Sequence, residues 1–105
     1  MSDDAAEAAR RSTDPQRQLP GENLDSMNPD DAAHWVGVYR ELMETKQTLS
    51  DALGASLAEV SSEAREELES VDLVLIRVQL DRFQRRFRYW SERQRELEAG
   101  AVRER

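Results

Sequence analysis

VDLVLIRVQLDRFQRRFRYW, residues 71–90, is the stretch whose reading decides the fold. Three valines and an isoleucine between Val71 and Leu80 would suit a strand. Helix-forming residues flank that run on both sides, from Glu63 to Glu69 and from Asp81 to Arg88, and they favour a helix. Leu73, Ile76, Leu80, Phe83, Phe87, Trp90 and Leu97 then recur at alternating spacings of three and four, interrupted only at Gln94. That is a heptad seam on one helix face. The spacing predicts a helix from about 62 to 98, stopping at Gly100.

At about 100° per residue, Val71, Leu75 and Val78 fall nearly opposite this seam. A simple hairpin covers only one side of such a helix. The second side calls for a second copy of the chain, the end of a bent first helix, or another protein. A three-helix fold closed on itself around 54–68 is the alternative.

Working toward the N-terminus, Asn28, Pro29, Asp30 and Asp31 form a helix start: a cap, a proline at the first helical position, and acids in the first turn. Trp35, Tyr39, Leu42, Lys46, Leu49 and Leu53 give this helix its own seam, so it is expected over about 29–55. The turn falls within 54–62, where Ser56–Glu59 has the form of a capping box and Ser61–Glu63 could equally start a new helix. Folded about residue 59, the hairpin sets Lys46 opposite Asp72. Either the two pair in the seam, or Lys46 lays its stem over the seam with its ammonium in water. Residues 1–27 carry Pro15, Pro20, Gly21 and almost no large apolar side chain, so this segment is expected to be a disordered tail whose deletion costs little.

The expected architecture is therefore all-α: an antiparallel two-helix hairpin, coiled-coil-like, completed to a bundle by self-association, with a disordered N-terminal tail. At 105 residues, 35% charged and 38% hydrophobic, the chain has room for one small domain. No run of about 18 apolar residues is present to span a membrane, and residues 1–14 lack the features of a signal peptide, so a cytoplasmic location is expected. The chain contains no cysteine, which excludes disulfides and thiolate metal sites. Fourteen arginines against the single Lys46 read as a base-composition bias.

Charge divides along the chain. Residues 1–76 hold 6 basic and 17 acidic side chains, whereas 77–105 hold 9 and 5, within a net charge of −7. Arg77, Arg88 and Arg95 flank one side of the second seam, and Arg82, Arg86 and Arg93 the other, where they can meet acids such as Asp30, Asp31, Glu41 and Glu44. Arg85, Tyr89 and Arg93 make an outward stripe suited to stacking or cation–π contact with a partner.

Catalytic constellations are missing. His34 is the single histidine, no Glu-x-x-His pair suggests a metal in a bundle, and the four glycines form no phosphate loop. No cofactor is expected, and the chain does not read as an enzyme. Trp35-Val36-Gly37 resembles the W-x-G signature of the small secreted WXG helical hairpins. In that family the motif occupies the turn between helices, whereas here it follows an N-cap. Arg93 also stands four residues after Tyr89, where that family's secretion signal has an acid. The chain is not assigned to it.

The function expected from these residues is a non-catalytic protein–protein interaction module of regulatory or adaptor type, acting through the second helix. Val71, Leu75, Val78, Arg85, Tyr89 and Arg93 are its candidate contact residues, and the partner is a second copy of the chain, another protein, or both. The alternative is a nucleic-acid-associated protein using the arginine–aromatic segment 82–95. The acidic chain, with a pI near 4.7, weighs against that alternative.

Overall fold

Asn28 starts the hairpin as its composition predicts. Its side chain accepts a hydrogen bond from the Asp30 backbone N–H at 2.9 Å, and Pro29 opens helix α1, Pro29–Leu57. In the computed structural model, which describes residues 7, 10, 11 and 14–103, the chain turns over Ala58–Ser61 and re-enters helix at α2, Ser62–Glu67. Ser61 is the cap that is used, accepting from the Ala64 N–H at 3.2 Å. Ser56 instead donates back to the Ala52 carbonyl within α1, at 3.0 Å.

α2 does not end in a loop. One π-helical turn, Leu68–Asp72, joins it to α3, Leu73–Arg103, with the Leu73 N–H donating to the Leu68 carbonyl five residues back. Such a wide turn inserts extra chain into the helix and rotates the faces of α2 relative to those of α3. The expected single second helix is thus one rod with a register shift. The expected stop at Gly100 is passed, and α3 continues to Arg103. Gly100 has no positive φ and nothing within 4 Å of where a Cβ would sit, so nothing at that position breaks the helix.

α1 and α3 pack against each other, and no strand occurs among the described residues. The core is not spread evenly along the seam. Ala32, Val36, Tyr39, Phe83 and Trp90 form its buried cluster, with Trp35, Leu42, Met43, Phe87 and Leu97 half-buried around it. Trp90 and Tyr39 are the largest fully buried side chains. At the other end of the hairpin Leu73 is the buried apolar side chain among the described residues, and Leu49, expected in the first seam, is 49% exposed.

Ala32 and Val36 replace the expected heptad partners of Tyr39 because α1 has two neighbours at this end. One is α3. The other is the segment 14–28, whose Leu19 and Leu24 pack on the same cluster. Up to residue 27, this segment belongs to the 1–27 stretch that composition assigns to a disordered tail. The rest of that stretch, apart from residues 7, 10 and 11, lies outside the described residues. Two leucines are a small apolar payload, and polar contacts to α1 and α3 supply the remainder.

Lys46 is half-buried and Asp72 is exposed, and no ion pair joins them among the described residues. The seam pairing is thus not formed, and of the two expected arrangements the half-burial of Lys46 fits the one in which its stem lies over the seam. Replacing Asp72 by Leu, or Lys46 by Met, is expected to change stability by no more than about 0.5 kcal/mol each, with additive effects in the double variant. Urea unfolding of the four chains measures this, and a coupling well above that size would restore the pair.

Candidate interaction site

Two features of α3 stand out: a buried carboxylate docked on one end, and an uncovered apolar strip at the other.

The carboxylate belongs to Glu22. Leu19, Pro20, Gly21 and Glu22 form a tight turn in which the Glu22 N–H donates to the Leu19 carbonyl at 3.0 Å. Gly21 sits at φ +84°, the third position of a type II turn, where only glycine is free of strain, and Pro20 suits the position before it. The Leu19 N–H in return donates to Glu22 Oε1 at 2.9 Å. The turn thus aims the side chain inward, and that side chain has no solvent exposure.

There Oε1 also accepts from the Tyr39 hydroxyl at 2.6 Å, and Oε2 accepts from the Trp90 indole N–H at 2.7 Å. The Arg86 guanidinium lies 3.7 Å from Oε2. Tyr39 comes from α1, Trp90 and Arg86 from α3, and Glu22 from the segment before both helices. One carboxylate joins all three. Burying it is tolerable because each oxygen has donors and a cation stands beside it.

Arginines along α3 continue the attachment. Arg82 donates to the Arg11 carbonyl at 3.3 Å, Arg86 to the Arg17 carbonyl at 3.0 Å, and Arg93 to the Ser26 carbonyl at 3.2 Å. The Tyr89 hydroxyl donates to the Leu24 carbonyl. The segment therefore runs alongside α3 as a strap, its backbone carbonyls held by a row of side chains. Burial, then the nearby Arg17, pushes the Arg82 guanidinium below the usual arginine range, with Tyr39 pulling the other way. Burial first, then the hydrogen bond to Glu22 and its charge, pushes the Tyr39 phenol far above its usual value near 10.

The six candidate contact residues divide accordingly. Tyr89 and Arg93 hold the strap. Arg85 is exposed and pairs with Asp81 one turn back. Val71 and Val78 are 51% and 38% exposed, with Leu75 half-buried beside them. Val74, which the heptad reading passes over, is 48% exposed and joins the strip at three residues from Val71 and four from Val78. That spacing was the available signal. The strip begins within the π turn and ends one helical turn short of Arg82, the most N-terminal α3 arginine bonded to the strap.

In the arginine–aromatic segment, Phe83 and Trp90 are buried and Phe87 is half-buried. Arg82 lies over the Phe83 ring at 4.9 Å, and Arg40 lies over Phe87 at 5.5 Å. These aromatic faces are used within the fold and do not offer a stacking platform. Glu22 had no signal in the sequence as a binding group, because its side-chain donors lie 17 and 68 residues away.

Among the described residues no helix is long and apolar enough to cross a membrane, and no group of three or more His, Asp or Glu side chains converges as metal ligands would. Comparison with protein-family models, with curated proteins and with solved structures found no match.

The carboxylate sets two kinds of expected outcome, the first in thermal stability. Glu22→Ala strands the Tyr39 hydroxyl and the Trp90 N–H in the core and leaves Arg86 without its counter-charge. It is expected to cost about 3–5 kcal/mol, the usual scale for breaking a buried pair. Deleting residues 1–27 is expected to cost at least as much, against the composition-based expectation of no effect. Thermal melts read both, and an unchanged melting temperature would show that the strap adds nothing.

The second outcome is in alkali. Because the folded state holds the Tyr39 proton more tightly than the unfolded chain, its contribution is complete below pH about 10 and is lost as the pH rises further. Tyr39→Phe is expected to cost about 1 kcal/mol at neutral pH and to flatten that alkaline fall. Denaturant midpoints between pH 8 and 11 check it.

Proposed function

We propose that this chain is a non-catalytic helical interaction module that binds protein through the N-terminal half of α3. The observation supporting this reading is the strip of Val71, Val74 and Val78, three β-branched side chains on two successive turns, each more than a third exposed. Burying one such side chain on a partner is worth on the order of 1.5–3 kcal/mol, less the costs of association and side-chain ordering. An amphipathic helix face of this kind suits helix-to-helix or helix-in-groove recognition.

The hairpin's other end supplies rigidity. There the strap, α1 and α3 are joined at Glu22, and the long α3 rod carries the strip away from that anchored end. Arg85, beside the strip and exposed, adds a charge that a partner can meet. Tyr89 and Arg93 serve the module by fixing the strap, with Tyr89 still 38% exposed.

The test uses the full chain as bait for proteins of its own host, wild type beside Val74→Glu. Val74 is exposed, so the variant is expected to keep its circular dichroism and melting temperature while losing capture of whatever the wild type retains. Equal capture by both chains would overturn the reading. So would a Val74→Glu chain that unfolds while the wild type captures nothing, since the strip would then belong to the chain's own core.

A further inference from the structure

Resting on that reading, we infer that the strip's occupant is a second copy of this chain, with the two α3 rods packed antiparallel about a point between residues 74 and 75. The charges on either side of the strip select this partner. Residues 62–72, ahead of it, hold five acids and one arginine, and residues 77–88, beyond it, hold five arginines and one aspartate. Each block extends about the same distance from the strip's centre, so the rod is acidic on one side and basic on the other.

Antiparallel packing about that centre sets Val71 against Val78 of the other copy and Val74 against its Leu75. The same operation lays the acidic block 62–72 over the basic block 77–88, twice. Parallel packing would instead place acid on acid and arginine on arginine, which is repulsive. A two-fold interface requires one patch to be complementary to itself, and this face meets that requirement.

The charged side chains are also available. Glu63, Glu66, Glu67, Glu69 and Asp72 are all exposed, as are Arg77, Arg85 and Arg88 in the basic block, with Arg85 also paired to the exposed Asp81 of its own helix. Arg82 and Arg86, which face the strap, are buried. The strap thereby closes one flank of α3 and leaves the other for the second copy. A copy-to-copy contact must also overcome the mutual repulsion of two chains at −7 each, and local pairing of opposite blocks is the arrangement that does so.

The chain contains no cysteine, so introduced thiols report orientation directly. In the antiparallel pair, Val74→Cys lies beside its own equivalent and is expected to form a disulfide-linked dimer on mild oxidation. Val71→Cys is about 10 Å from its equivalent along the axis, beyond disulfide reach, and is expected not to self-link. A mixture of Val71→Cys and Val78→Cys chains is expected to give the mixed dimer. Light scattering of the unmodified purified chain is expected to show a doubling from 12.1 kDa as concentration rises.

Self-linking of Val71→Cys as efficient as that of Val74→Cys would show parallel packing and overturn the arrangement. A purified chain that stays monomeric to millimolar concentration would overturn the second copy as occupant. If Val74→Glu still abolished capture of host proteins in that case, the docking-face reading would stand and only its occupant would change. If capture were also unaffected, both would fall.

Discussion

The carboxylate of Glu22 is the constraint on which the rest of this fold depends. A two-helix hairpin of this size has little apolar surface to bury, and its seams are well packed at only one end. At that end a charged group with no solvent exposure takes hydrogen bonds from α1, from α3 and from its own turn. Charge-assisted hydrogen bonds are among the stronger single interactions a small domain can make, and their directionality fixes how the three segments meet. Tyr39 and Trp90 are buried whole because each has its polar atom satisfied there.

This lock gives the arginines of α3 a different role from the one their spacing suggests. Arg82, Arg86 and Arg93 occupy one flank of the helix; Arg86 and Arg93 bind backbone carbonyls of the strap, and Arg82 binds the Arg11 carbonyl ahead of it. The Arg17 and Ser26 carbonyls lie in chain that is neither helix nor strand, and guanidinium groups satisfy them there. The same attachment uses up Tyr89, which donates to Leu24. The other flank of α3 and the turns ahead of Val78 stay open. Stability and availability are thus separated along one rod.

The π turn at Leu68–Asp72 marks the start of the available half. It rotates α2 relative to α3, so a face that is apolar from Val71 to Val78 does not continue backward as a buried seam. Val71, Val74 and Val78 stay exposed on this face, between charged neighbours. Here the strip lies between an acidic block, residues 62–72, and a basic block, residues 77–88.

The sequence by itself determined the helical class, the start at Asn28, the turn before Ser62 and the α3 seam through Leu73, Phe83 and Trp90, because these arise from local capping chemistry and a helical period. It also determined that one helix would be apolar on two sides. The strap was not legible. Pro20 and Gly21 read as marks of a solvated tail, whereas in the fold they are the two central residues of the turn that presents Glu22. The part played by Glu22 exists only where Tyr39 and Trp90 are brought together from 17 and 68 residues away. Composition counts apolar payload and is blind to a single carboxylate with several donors. Only the tertiary structure decided which flank of α3 was closed, because hydrogen bonds between segments distant in sequence have no period to reveal them.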